Sequence, residues 1–180
     1  NSYWDADVNG TLAGIGGGTL TGATGLTTTQ MMSQANFAGF DFTPGTGSWF
    51  MIEGDTRPFL QMEHSTTITN AHQLQLMAMD LTANYTLAND IDMSELTNAS
   101  GMWNTTAGFS PVGNVTTQFM GNFDGLGHTI NNLVINRPTT DFVGLIGWVN
   151  SVSSIRNTGM LGGSVIGQSR VGGLVGENGG

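Results

Sequence analysis

Apolar and polar residues along this chain change over in short runs, and Gly, Asn, Asp or Pro ends most of them. His128–Asn136 is the clearest strand candidate, being rich in β-branched residues and bounded by Gly127 and Pro138. Its core positions are Ile130, Leu133 and Ile135. That spacing departs from the two-residue alternation of a strand, which predicts a bend near Asn131–Asn132, where Asn tolerates left-handed backbone. Further on, the Phe-Val-Gly-Leu-Ile-Gly of 142–147 is followed 29 positions later by the Val-Gly-Gly-Leu-Val-Gly of 171–176. Gly144, Leu145 and Gly147 match Gly173, Leu174 and Gly176, and Ile146 matches Val175. A short apolar strand repeated at such a spacing predicts stacked coils. Residues 85–180 therefore read as short strands with frequent turns and no long helix.

The first half is patterned differently. Thr27–Phe37 combines a Thr cap with helix formers and predicts one short helix. Asn70–Asp80 predicts a second, with Leu74, Met77 and Leu81 on one face. Between them Phe37, Phe40, Phe42, Trp49, Phe50 and Phe59 predict an aromatic cluster, interrupted by Pro44 and Pro58. Such a cluster reads as a local core bracing the strands rather than as a ligand pocket.

Composition narrows the function. The 180 residues contain 28 Gly, no Cys and a formal charge of −9, with only 9% charged residues, against about 25% in ordinary domains. No lysine is present, and the four arginines (Arg57, Arg137, Arg156 and Arg170) are scattered. Nucleic-acid binding, which draws on Lys and Arg against phosphate, is excluded. Schiff-base, thiolate and disulfide chemistry are excluded too. No apolar run is long enough to span a bilayer, so membrane insertion is not expected. An acidic, cysteine-free, Thr- and Asn-rich chain suits an exported β-rich protein.

Phe123-Asp-Gly-Leu-Gly-His-Thr-Ile-Asn-Asn-Leu-Val-Ile135, with the two Gly-Leu-(Ile/Val)-Gly segments after it, resembles the GLUG-repeat region of bacterial filamentous-haemagglutinin-like exoproteins and adhesins. Tyr85–Met93, Phe109–Asn114, Asn1–Asp5 and Gly25–Met31 are similar to segments flanking such repeats. The resemblance implies a mainly β fold: a right-handed parallel β-helix (β-solenoid) with a small α/β, aromatic-rich insertion. The division that follows is 1–26 as the end of a coil block, 27–84 as the aromatic brace with two short helices, and 85–180 as the repeat-bearing part. It also implies a secreted or cell-surface location. In the resembled family a Gly-Glu-Asn-Gly-Gly segment leads into Asn-Ser-Tyr-Trp, and this chain ends on the first at 176–180 and begins with the second at 1–4. Units are thus expected end to end, residue 180 of one near residue 1 of the next.

Candidate chemistry is sparse. Asp5-Ala-Asp-Val-Asn-Gly10 opens like a calcium loop, but Gly16 stands where the loop needs a bidentate Glu. A looser Ca²⁺ site at Asp5, Asp7 and Asn9 stays open beside a plain polar turn. Asp90 and Asp92 flank Ile91 and would project together. His64, His72 and His128 fit no H-E-x-x-H pattern, and no G-x-S-x-G elbow occurs. Asp124, His128 and Arg137 are the one grouping an enzyme would use, and they fall inside the repeat motif. Five N-x-[S/T] sequons, at Asn9, Asn84, Asn98, Asn104 and Asn114, leave glycosylation open beside chance in an Asn- and Thr-rich chain. The expectation is a non-catalytic structural or adhesive unit of an extracellular fibre or filament. It has no catalytic residue, metal or cofactor, and self-association or a host or surface glycan or protein is its partner. The alternatives are a spacer in a multidomain surface protease and a carbohydrate-active β-helix.

Overall fold

The computed structural model describes residues 1–10 and 22–179. Strands of two to four residues are joined mostly by parallel pairing. Phe123–Asp124 lies between Tyr85–Leu87 and Ile155–Arg156, and Thr67–Ile68 adds to the outer side of Tyr85–Leu87. Thr129–Asn131 lies between Ile91–Asp92 and Gly159–Leu161. Val134–Asn136, Asp141–Val143 and Ile146–Val149 pair in parallel with Ser164–Ile166, Ser169–Val171 and Val175–Asn178. In the last pair Ile146 faces Val175, so the 29-residue sequence repeat becomes two neighbouring strands.

The expected mainly β, right-handed parallel β-helix with a small α/β insertion is not what the structure shows. The fold is mixed, with 13% helix and 32% strand, and its strands are divided among many short sheets, parallel and antiparallel. Trp49–Phe50 and Phe59–Leu60 are antiparallel, as are the bridges Thr56–Trp103 and Gly108–Ile135. The physical reason lies in the aromatic residues and the breakers. From residue 123 on, Gly or Asn ends each strand early, and large side chains such as Phe59 and Trp103 are packed by a helix and 3-10 turns as well as by strands.

Local chemistry explains the helical pieces. Asn70 caps the helix Ala71–Leu76 by accepting the Gln73 N–H, and a 3-10 turn at Met77–Met79 extends it. Leu74 and Met77 of the expected face are fully buried, while Leu81 packs at the core's edge. Thr27–Phe37 forms two 3-10 turns, Gln30–Met32 and Gln34–Asn36, instead of one helix. Ser33 is extended between them, and the Gln34 N–H goes to the Glu53 carboxylate rather than to a helical carbonyl. The bend in 128–136 falls at Asn132, whose φ is 61°, and Ile130, Leu133 and Ile135 are all buried.

The main core runs from Phe59 to Val149, and a smaller one gathers Leu26, Phe37 and Met51. The six aromatics therefore divide: Phe37, Phe40 and Phe42 join Tyr3 in the small core, whereas Phe59 meets Trp103 in the large one and Phe50 packs against it. Trp49 stacks on Phe40 with centroids 4.2 Å apart.

Candidate functional site

Each arginine is committed to an acid. Arg57, buried, pairs with buried Asp5 and also donates to the carbonyls of Ala99 and Gly101. Arg137 lies 2.8 Å from Asp55, Arg156 2.8 Å from Asp124, and Arg170 2.7 Å from Glu177. With 13 acids and four arginines in the chain, 13 − 4 = 9 acids have no arginine partner. The surface is therefore acidic and offers no free guanidinium to an anion.

The residues of the calcium-like opening are turned to another task. The Asp5 carboxylate accepts the N–H groups of Asp7 and Val8, the Thr28 hydroxyl and the Arg57 guanidinium. Burial pushes its pKa up, but the Val8 N–H, the Thr28 hydroxyl and Arg57 outweigh that and hold it below the ordinary carboxylate value. Asp7 accepts the Thr28 N–H, and the Asn9 amide donates to the Asp5 carbonyl. Gly16 lies outside the described residues.

Asp124, His128 and Arg137 are not assembled into a centre. Asp124 is taken by Arg156 and Asn157, His128 sits 3.3 Å from Asp90, and Arg137 pairs with Asp55. Asp90 and Asp92 act as clasps between strands. Asp90 accepts the Thr129 N–H, and Asp92 accepts the Asn132 amide and the Ser94 N–H. These bonds lower both pKa values, with Thr129 the main cause for Asp90 and Asn132 for Asp92. His72 lies between Glu63, 3.3 Å from Nδ1, and Glu95, 3.2 Å from Nε2. The two acids meet opposite ring nitrogens, so the three side chains do not converge on one point. Among the described residues no group of three or more His, Asp or Glu could hold a metal ion. The Tyr85 hydroxyl donates to the Asp80 carbonyl and lies 2.9 Å from His64 Nε2, which places the His64 proton on Nε2. A cleft of about 200 Å³ lined by Tyr3, Phe40 and Trp49 presents aromatic faces, with the already engaged Arg57 as its one charged wall residue.

The feature that stands apart is the outer side of the last strands. Among the described residues no strand pairs with Ile155–Arg156, Gly159–Leu161, Ser164–Ile166 or Ser169–Val171 on the side away from the core. Leu161, Ile166 and Val171 are exposed there, and Met160, Val165, Leu174 and Val175 are half-buried against the core. Sequence reasoning placed the Gly-Leu-Val-Gly repeat here but not the exposed apolar positions. The signal is present: Gly-Met-Leu and Ser-Val-Ile carry two adjacent apolar residues, so one of each must face outward.

No family model matches the chain, and no solved structure matches it. A stretch of 95 residues, 53% of the chain, is 41% identical to halomucin from Haloquadratum walsbyi (strain DSM 16790 / HBSQ001). The chain spans about 1% of the length of that curated relative. Among the described residues no helix is long and apolar enough to cross a membrane.

Proposed function

We propose that this chain is a non-catalytic structural or adhesive unit of a surface or secreted protein, and that such units associate end to end. The observation that carries this reading is that, among the described residues, no strand covers the outer edge of residues 155–171, with Leu161, Ile166 and Val171 exposed on those strands. Open strand edges carry unsatisfied N–H and C=O groups and invite a further strand. Proteins commonly guard such edges with charged side chains, lysine above all, or proline; residues 155–178 contain no lysine or proline, and their two arginines, Arg156 and Arg170, are paired with Asp124 and Glu177. The likeness to halomucin supports a surface or secreted location. The resemblance of 123–147 and 171–176 to GLUG repeats supports an exoprotein with repeated units. Gly180 lies outside the described residues, and contact between residue 180 and residue 1 of the next unit remains part of the proposal.

Sedimentation velocity and negative-stain electron microscopy over a range of protein and salt concentrations test it. Linear oligomers that grow with concentration are expected, and salt should favour them by screening the charge of −9 on each unit. Leu161→Lys with Ile166→Lys should abolish them without lowering the thermal midpoint, because both side chains are exposed. A monodisperse monomer throughout would overturn the reading.

A further inference from the structure

We propose that Asn9 is a site of spontaneous deamidation, in which water converts its side-chain amide to aspartate or isoaspartate, and that the change loosens the turn closing the N-terminal strand. The chain has three places where an Asn or Asp is followed by Gly, the pairing that lets the main chain attack the side chain: Asn9–Gly10, Asp124–Gly125 and Asn178–Gly179. The attacking atom is the glycine nitrogen, and with no Cβ beside it no side chain hinders the approach. What separates the three is how the fold treats that nitrogen.

The Gly125 N–H donates to the Arg156 carbonyl at 2.9 Å, and the Gly179 N–H to the Val149 carbonyl at 2.9 Å. Both bonds continue the pairing of neighbouring strands, so each nitrogen is freed only when that pairing opens. Space is short as well. A carbon added to the Gly125 Cα would meet the Asn157 carbonyl oxygen at 2.5 Å, and one on Gly179 would meet Trp148 Nε1 at 2.9 Å. The Asp124 carboxylate is also occupied, by the Leu126 N–H, Arg156 and Asn157.

The first pair is treated differently. Among the described residues the Gly10 N–H donates to no group, and a carbon on the Gly10 Cα meets nothing within 4 Å. Asn9 and Gly10 are both exposed, so water reaches the reacting atoms. In the reaction hydroxide takes the Gly10 N–H proton and the nitrogen attacks Asn9 Cγ. The Cγ–Nδ2 bond breaks, and Nδ2 leaves as ammonia after taking a proton from water, which closes a succinimide ring. A water molecule then opens the ring at either carbonyl to give aspartate or isoaspartate. Overall one water is consumed and one ammonia released, with no oxidant or reductant.

The amide that is lost holds the turn. The Asn9 N–H and Nδ2 both donate to the Asp5 carbonyl, at 3.1 and 2.7 Å. Aspartate has no side-chain donor for that carbonyl, and isoaspartate also inserts a methylene into the main chain. Either product adds a negative charge to a segment that already carries Asp5 and Asp7. The strand this turn ends is Ser2–Asp5, held in parallel against Ala23–Leu26.

The test follows the folded chain, and the same chain unfolded in urea, by peptide mapping at mildly alkaline pH. Low protein concentration keeps end-to-end association from shielding either turn. A gain of about 1 Da at Asn9 is expected in both samples, at rates within about tenfold of each other. At Asn178 folding should slow the gain by more than about tenfold, because the Gly179 N–H must first be released. Asn9→Gln, at an exposed position, should remove the gain at residue 9, since the longer side chain closes a less favourable ring. Asn9→Asp, which carries the charge from the start, should melt about 2–4 °C below the parent chain. A rate at Asn9 that falls more than about tenfold on folding would overturn the assignment. Equal rates at Asn9 and Asn178 in the folded chain would overturn its structural basis. An Asn9→Asp chain that melts with its parent would overturn the effect on the strand.

Discussion

Removing Arg57 is the sharpest test of how the N-terminal strand is attached. Arg57 and Asp5 are each 7% exposed, and the guanidinium also holds the carbonyls of Ala99 and Gly101. Arg57→Met keeps much of the side-chain volume and removes the charge. It leaves the Asp5 carboxylate buried with the N–H groups of Asp7 and Val8 and the Thr28 hydroxyl, but with no counter-charge. An orphaned buried charge costs about 3–5 kcal/mol. The Ala99 carbonyl sits in an exposed turn where water replaces the lost donor, but the buried Gly101 carbonyl is left without one, so the total should be about 5 kcal/mol. Asp5→Asn should cost about 3 kcal/mol by stranding the guanidinium instead. Because each single change exposes the other's loss, the double variant should cost less than the sum by at least about 1 kcal/mol. Urea unfolding followed by tryptophan fluorescence, with the slope checked for constancy, measures all three. A cost below about 1 kcal/mol for Arg57→Met, or strict additivity, would show that the pair is hydrated and contributes little.

Gln75 is fully buried and serves Trp103 Nε1, the Ser110 N–H and the Ser110 carbonyl. Gln75→Leu should cost about 3 kcal/mol in a urea titration, since three buried groups lose their partner together. Leu126 has φ 51° and is 58% exposed, so its side chain gives little for a left-handed backbone. Leu126→Asn should therefore raise stability by about 0.5–1 kcal/mol, seen as a higher thermal midpoint. Asp5, Asp90, Asp92 and Asp124 all have pKa values below the ordinary carboxylate value in the folded chain. In acid the unfolded chain takes up these protons first, so their contribution is full above about pH 4 and is lost as pH falls through the folded values. Melting curves should show a midpoint that is level above about pH 5 and drops below about pH 4; a level midpoint down to about pH 2 would refute the role given to these acids.

Local structure was legible around Asn70 and Asn132 but not over Thr27–Phe37, where the expected Thr-capped helix is two 3-10 turns. The Asn70 cap, the buried Leu74 and Met77 and the left-handed Asn132 all follow from short-range rules. The 29-residue repeat likewise announced which strands would be neighbours. The global architecture was not legible, because periodicity records which residues are alike and not what fills the space between them. Residues 93–122 form no strand of the sheets, only the single bridges at Trp103, Gly108, Val112 and Phe119, while delivering Trp103, Phe109 and Phe119 to the core, and no repeat marks that excursion. The fate of Asp5 was hidden for a similar reason. Its spacing to Asp7 and Asn9 suggests a cation, and the cation it meets is Arg57, 52 residues away. Only chain folding brings that pair together. The Asn-Gly pairs are the opposite case: their positions are plain in the sequence, but which glycine N–H groups are held is a tertiary fact.

Parallel pairing gives the molecule a direction. Residues 155–178 lie on one side of residues 123–149, while Thr67–Ile68 and Ile91–Asp92 lie toward the other, and the two margins share neither sequence nor shape. A two-fold dimer joins like to like, whereas unlike margins join head to tail. Under the proposed end-to-end association, such a joint stops growing only where its rotation closes a ring, and an open chain of units has two chemically distinct tips. A tip-capping fragment made from one margin alone would then arrest elongation at one end only.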